Sequence, residues 1–205
     1  MRVAIVTFDG FSELDSVLTL ALINQLRPHG VMAELCGPPG PLSSMNGLQV
    51  QAPHTLEFAA RADAVLFAGG LYSRAVAANG ALMDRLVLDP TRQLLGAQGS
   101  GSLILARLGL LGDQPACSDP PTRQWLIEAG VRACDLPFHA RGPVATAGGG
   151  LAAAYLAAWV MCRAVGRATT RHALLEVAPE GDRARWADQV LGVVGAALDE
   201  SGHSD

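Results

Sequence analysis

Residues 94–106, LLGAQGSGSLILA, decide how the rest of the chain is interpreted. The segment opens on an apolar run (Leu94, Leu95), passes through a turn of small residues (96–102) that is rich in glycine and serine, and enters an apolar helix pattern at Leu103. A strand-to-helix turn of this kind is where many enzymes hold a nucleophile. The question is why this turn offers mainly glycine and serine.

The same alternation of apolar strands and helical patterns runs through the chain. Uniformly apolar runs of strand length are typical of parallel strands buried on both faces, so we predict an α/β protein with a mainly parallel central sheet. An Asn46-Gly47 pair predicts a hairpin. Strands are predicted at 2–8, 31–37, 63–70, 93–98 and 143–147, and helices at 14–26, 73–88, 100–108, 121–129, 151–165 and 182–198, the last docking on the sheet.

The composition indicates a globular chain with ample core material. Half of the 205 residues are hydrophobic and 17% are charged, and we expect one domain over residues 1–205. The net charge is −4 without a basic stripe, which argues against nucleic acid as a partner. All 15 basic residues are arginines, so Schiff-base, pyridoxal and P-loop lysine chemistry is excluded.

The cysteines and the apolar segments predict a cytoplasmic location. Cys36, Cys117, Cys134 and Cys162 are scattered without a C-x-x-C pair, so we expect free thiols and neither a zinc site nor a disulfide framework. The apolar run before Asp9 is too short for a signal peptide. The uncharged stretch 142–162 contains Pro143, the glycine triplet 148–150 and many alanines, which favours a strand, a turn and a buried helix over a membrane span.

Glycine follows several predicted strands, at the carboxyl edge where parallel sheets bind ligands. Familiar motifs do not fit there: G-x-S-x-G is not satisfied around the serines of the turn, and a Walker motif would need lysine. GGGLAA at 148–153 matches G-x-G-x-x-A, but too little chain follows for a dinucleotide-binding unit. We therefore expect no cofactor and no metal. The glycine-bearing ends are 9–10, 69–70, 96–101 and 148–150.

The order FDGFSELD, DAVLFAGG, GSGSLILARLGLL and PVATAGGGLAAAYLAAW resembles the ThiJ/PfpI family of the class I glutamine amidotransferase-like superfamily. The likeness covers residues 2–165 and is strongest to the branch of isocyanide hydratase-like proteins and AraC-regulator sensor domains. It implies a flavodoxin-like three-layer sandwich and a homodimer. It also implies a site at the strand-to-helix turn.

In this family the turn reads S-x-C-T-G. With Gly109-Leu110-Leu111 as the anchor, the resemblance puts Gly99 on the catalytic cysteine, Ser100 on the threonine and Gly101 on the glycine. The nucleophile is therefore absent. Asp119 stands where these relatives often carry a histidine, and Tyr155 where an acid often follows the T-A-G-G motif. The acid of SELD, Asp15, matches the carboxylate that lies beside the cysteine in active relatives.

Two of these residues have a second interpretation. Ser12 and Asp15 also form a capping-box pattern, in which the serine caps the helix and the acid complements its dipole. Ser100 fits a helix N-cap better than a nucleophile, since no histidine is indicated nearby. His139, just before a predicted strand, fits a surface or loop position.

The leading hypothesis is a protein without the family nucleophile that binds or senses a small polar or anionic ligand. Backbone amides near Gly69 and Gly70 and at the start of the following helix would bind it. The ligand-binding residues predicted are Gly69, Gly70, Gly99, Ser100, Gly101 and Asp119. An alternative is hydration or hydrolysis of a small carbon electrophile by water that Asp15 activates. A third is a regulatory input domain that acts through a partner protein or self-association, because no DNA-binding element follows residue 198.

Overall fold

The computed structural model of the protein describes residues 1–199. Within that range the strands are β1 (Arg2–Val6), β2 (Met32–Cys36), β3 (Pro41–Ser43), β4 (Gln49–Gln51), β5 (Ala64–Phe67), β6 (Leu94–Gln98), β7 (Ala116–Cys117), β8 (Ala133–Cys134), β9 (Phe138–Arg141) and β10 (Val144–Ala147). Six of them form a sheet of order β2-β1-β5-β6-β10-β9, in which neighbours are parallel except for the antiparallel β9–β10 pair at one edge. A β3–β4 hairpin and a short parallel β7–β8 pair lie outside this sheet.

The central strands are apolar at every position because both faces of the sheet are covered. Side chains alternate along a strand, so Val3 and Ile5 of β1 enter one hydrophobic core while Ala4 and Val6 enter another on the opposite face. The predicted α/β class and flavodoxin-like fold with a mainly parallel central sheet are confirmed.

Helices form a layer on each face. Residues of α1, α6, α7 and α8 belong to the first core, and residues of α2 to α5 belong to the second. The uncharged stretch 142–162 forms β10, a turn and the start of α6, as predicted. The helices are α1 (Thr19–Ile23), α2 (Ser73–Ala78), α3 (Gly80–Met83), α4 (Ser102–Arg107), α5 (Pro120–Glu128), α6 (Ala153–Val165), α7 (Arg167–Val177) and α8 (Arg183–Asp199). Among residues 1–199, no helix combines the length and apolar character that crossing a bilayer requires.

Several elements differ from the predictions. The helix predicted at 14–26 consists of a π-helical turn (Leu14–Leu18), α1 and a 3₁₀ segment (Asn24–His29), which ends at Gly30 with a positive φ. Because Pro28 has no amide hydrogen, it cannot donate a helical hydrogen bond in this last segment. Of the two positions expected for His139, surface or loop, the loop is wrong, since this half-buried residue lies in the edge strand β9. Helix α8 packs on α6, α7 and the edge strand β9.

Ile5→Ala tests the position of β1 inside the sheet. The Ile5 side chain is fully buried, so its truncation should lower the free energy of unfolding by about 2–5 kcal/mol, measured by urea denaturation. Val87, which is 72% exposed, provides the matched control: Val87→Ala should change stability by less than about 0.5 kcal/mol. Equal effects of the two substitutions would contradict this placement.

Candidate active site

The site is built on a tight turn between β6 and α4. Strand β6 ends at Gln98, Gly99 adopts a φ of +51°, and a 3₁₀ turn (Gly99–Gly101) leads into the helix. A Cβ atom at Gly101 would lie 2.4 Å from the carbonyl oxygen of Phe67, so only glycine allows this close approach of β5. The small residues of the turn are therefore required by backbone packing and by the left-handed conformation of Gly99.

Gly99 faces two carboxylates. A Cβ atom built on this residue would lie 3.1 Å from Oδ2 of Asp119 and 3.5 Å from Oδ2 of Asp15. Any side chain at this position would thus start between the two acids. The structure brings together three residues that the sequence predicted for the site, although they are widely separated along the chain.

Asp15 is directed toward the elbow, which is the turn Gly99–Gly101 between β6 and α4, by two hydrogen bonds. The Ser12 hydroxyl donates to Oδ1 at 2.9 Å, and the Gly69 amide donates to Oδ2 at 2.9 Å. The capping-box interpretation accounts for one contact, in which the Asp15 amide donates to the Ser12 hydroxyl at 3.4 Å. The reciprocal contact is not made, because the Ser12 amide donates to the carbonyl of Gly69 instead. Capping alone therefore does not explain where the carboxylate lies.

Burial raises the pKa of the Asp15 carboxyl from 3.8 to about 6. Its side chain lies in a protein environment that solvates the charged form poorly, and the negative charge of Asp119 adds a smaller increase. The hydrogen bonds from Ser12 and Gly69 oppose this shift. A carboxyl with a pKa near 6 can accept and return a proton at physiological pH.

Ser100 joins the elbow to the loop after β5. Its hydroxyl accepts a hydrogen bond from the Gly70 amide at 3.0 Å and lies 2.9 Å from the hydroxyl of Ser73. The predicted N-cap role is wrong, because no side chain caps α4 or the preceding 3₁₀ turn. The serine hydroxyl bridges two loops instead.

The amides of Gly69 and Gly70 are occupied. Asp15 accepts the hydrogen bond of the first amide and Ser100 accepts that of the second. The expectation that these two amides bind a ligand directly is thus corrected: they position two side chains of the site. Gly70 still contributes to the wall of the cleft.

The two carboxylate oxygens of Asp119 have different surroundings. Its Oδ1 accepts a hydrogen bond from the Thr122 amide at 2.9 Å and so caps α5, while Oδ2 faces the elbow. The preceding Ser118 donates its hydroxyl hydrogen to the carbonyl of Gly99 at 2.7 Å. The segment after β7 is therefore fixed against the turn.

A cleft of about 390 Å³ is lined by Ser12, Asp15, Gly70, Ser100 and Asp119, whereas the predicted ligand-binding residues Gly69, Gly99 and Gly101 are not part of its lining. Asp15, Ser100 and Asp119 supply polar atoms, and apolar side chains form the walls. The sequence did not indicate the apolar residues, because they come from three separate loops or helices without a shared motif. Tyr155 lies apart and packs against the core around α6. The apolar lining residues are Met45, Leu71, Pro121 and Trp125.

Solved structures share this architecture over nearly the whole chain. A THiJ/PfpI family protein from Pseudomonas syringae superposes with a TM-score of 0.78 at 19% identity, covering 98% of this chain and 90% of that one. DJ-1 from Schizosaccharomyces pombe gives 0.67 at 14% identity (93% and 98%), and DJ-1beta from Drosophila melanogaster gives 0.72 at 18% identity (86% and 96%). The chain has the ThiJ/PfpI and DJ-1 fold. No family model and no curated protein matches its sequence.

The ThiJ/PfpI-like fold explains why Asp15 and the elbow meet. The helical segment after β1 and the turn after β6 both start at the carboxyl edge of the sheet, and β5 lies between these two strands. Loops from adjacent parallel strands converge at this edge. The Gly69 amide after β5 therefore reaches Asp15, and the Gly70 amide reaches Ser100.

The pH dependence of stability tests the buried state of Asp15. Because the folded pKa is raised to about 6, the folded chain binds the proton more tightly than the unfolded chain. A stabilisation of the order of 3 kcal/mol should be lost as pH rises from about 4 through 6. Since Asp15→Asn cannot ionise, its free energy of unfolding relative to wild type should increase over this window in urea titrations.

Asp84→Asn is the matched control, because Asp84 is exposed. Its curve, measured at the same pH values, gives the general effect of changing an exposed carboxyl to an amide and is subtracted from that of Asp15→Asn. A difference curve for Asp15→Asn that falls as pH rises would mean that the carboxylate stabilises the fold as a cap.

Proposed function

We propose that the chain is a ThiJ/PfpI-type protein in which Gly99 occupies the position of the family's catalytic cysteine, and that its cleft binds a small polar molecule. The observation that carries this proposal is the glycine at residue 99: a Cβ atom there would lie 3.1 Å and 3.5 Å from carboxylate oxygens of Asp119 and Asp15, and both of these acids line the cleft. A site that keeps a buried acid without an adjacent thiol is suited to binding.

The contacts in the cleft favour a neutral or cationic ligand over an anion. The amides of Gly69 and Gly70 already donate hydrogen bonds to acceptors of the protein, and the carboxylates of Asp15 and Asp119 both face Gly99. An anion placed there would be repelled by the two acids, whereas N–H or O–H donors would gain charge-assisted hydrogen bonds. The apolar walls around Trp125 would hold a short carbon skeleton. Small amides and amines match this description.

Binding is tested with a panel of small amides, amines, isocyanides and 2-oxoaldehydes, using thermal shift followed by calorimetry. We expect at least one class to stabilise the wild type, since a ligand stabilises through its affinity for the folded state. Asp15→Asn should lower the affinity for that ligand by about 10- to 100-fold, because one charge-assisted hydrogen bond is lost. The control Asp84→Asn should bind as wild type does. Unchanged affinity of Asp15→Asn would refute the site.

A second candidate is hydration of a small carbon electrophile such as an isocyanide, with water as the nucleophile. It is favoured by the pKa of about 6 at Asp15 and by the short distances from the Cβ position of Gly99 to carboxylate oxygens of Asp119 and Asp15. A water oxygen at the Cβ position would lie near hydrogen-bond distance of both carboxylates. Asp15 would accept a proton from that water as its oxygen bonds to the electrophilic carbon, and the proton would then return to the product, a formamide in the case of an isocyanide.

Turnover of isocyanides separates this candidate from binding alone. If water is the nucleophile, kcat/KM should rise with pH through about 6 and then level off, because Asp15 must be deprotonated to act as a base. Asp15→Asn should lower kcat by about 10²- to 10⁴-fold. Formamide release is measured by chromatography. Binding without formamide release in the wild type would leave the first proposal standing and exclude the second.

A single domain over residues 1–205, a homodimer and a cytoplasmic location stay predictions.

A further inference from the structure

Two cysteines that are separated along the chain lie side by side on neighbouring strands. Cys117 and Cys134 are 17 positions apart and form a register pair of the short β7–β8 ladder. Their Sγ atoms are 3.1 Å apart, and all four cysteines of the chain are free thiols. A disulfide has an S–S bond of about 2.05 Å, so a closure of about 1 Å would join this pair.

The two thiols differ in environment. Cys117 is fully buried, and burial together with the neighbouring Cys134 raises the pKa of its thiol. Cys134 is only half-buried and is thus the sulfur that an oxidant in solvent reaches first. Reactive cysteines are those with access and thiolate character, and a neighbouring thiol resolves the oxidised product.

The pair flanks one wall of the cleft. Helix α5 lies between the two cysteines in the chain and carries Pro121 and Trp125 of the cleft lining. The backbone of Cys117 is already fixed at the site: its amide donates to the hydroxyl of Thr146 at 2.9 Å, and its carbonyl accepts from the hydroxyl of Ser102 at 3.0 Å. A bond to Cys134 would close the chain around α5 and tie both ends of this wall to that fixed point.

We propose that Cys117 and Cys134 form a reversible disulfide that tethers the α5 wall of the cleft, with hydrogen peroxide as the oxidant. The Cys134 thiolate attacks one peroxide oxygen, the O–O bond breaks, and the hydroxide released takes a proton to form water. Cys134 is then a sulfenic acid. The Cys117 sulfur attacks the Cys134 sulfur, the S–O bond breaks, and the departing hydroxide takes the Cys117 proton as a second water. Two thiols are oxidised by two electrons, and one peroxide is reduced to two waters.

The bond is tested on the full chain treated with hydrogen peroxide and digested with trypsin without reduction. Cleavage after arginine places each cysteine in a different peptide, with Cys117 in 108–123 and Cys134 in 133–141. We expect these two peptides to be linked, with a loss of two hydrogen masses that dithiothreitol reverses. Cys134→Ser should abolish the link, and the remote control Cys162→Ser should retain it.

Two results would refute the proposed disulfide between Cys117 and Cys134. One is oxidation of Cys134 to sulfinic acid while Cys117 stays reduced. The other is a link between two chains through Cys134, seen as a dimer on a non-reducing gel. Because Cys134 is only half-buried, Cys134→Ser is expected to fold, which a circular dichroism spectrum and a cooperative melt verify.

The tethering role is tested by hydrogen exchange on the same samples. Closing a loop restricts the open states of the chain within it, so amides of α5 (Pro120–Glu128) should exchange several-fold more slowly in the oxidised protein. Exchange in α8, outside the loop, should not change. Oxidised Cys134→Ser should exchange in α5 as the reduced wild type does. Equal α5 exchange in oxidised and reduced wild type would refute the tether.

Discussion

The hydrogen bond from the Gly69 amide to the Asp15 carboxylate is the contact on which the site depends. It joins the segment after β1 to the loop after β5, and the next amide, of Gly70, joins that loop to Ser100 in the elbow. Three neighbouring parallel strands thereby hold their ends in a fixed arrangement. Asp119 completes it from another direction, since Ser118 anchors its segment to the carbonyl of Gly99.

This arrangement fixes the geometry of the site but lowers the free energy of unfolding at neutral pH. Burying Asp15 near a second carboxylate raises its pKa, which means that ionisation at neutral pH opposes folding. A helix cap at the surface would have the opposite effect, because a carboxylate near a helix N-terminus is stabilised as an anion. The burial of Asp15 therefore does not stabilise the fold at neutral pH, which agrees with the binding role that we propose for this residue.

The sequence predicted the parts of the structure that depend on local pattern. Apolar runs located the strands of the main sheet other than its edge strand β9. The glycine-rich ends pointed to the edge of the sheet that carries the candidate site, because parallel strands place their carboxyl ends at one edge. The resemblance to ThiJ/PfpI proteins singled out Asp15 and Asp119 as site residues. Long-range contacts were not predictable from local pattern. The hydroxyl of Ser100 contacts the loop after β5 and does not cap its own helix. Asp15 and Ser100 accept the hydrogen bonds of the Gly69 and Gly70 amides, which were expected to bind a ligand. Strands β7 and β8 are two residues each, too short to give a periodic signal, so the adjacency of Cys117 and Cys134 was hidden.

Glycine at residue 99 has a physical consequence for the turn and for the acids beside it. A residue with a side chain at φ +51° would pay a conformational penalty of about 1–2 kcal/mol, which glycine does not. Its Cβ would also lie within 3.1 Å of an Asp119 oxygen, close enough to require adjustment. Glycine at residue 99 therefore avoids this conformational penalty and also leaves room for the Asp119 carboxylate beside that of Asp15. The two acids and Gly99 are therefore linked, because a side chain at residue 99 would displace the Asp119 carboxylate, whereas Asp15, at 3.5 Å, would stay in ordinary van der Waals contact.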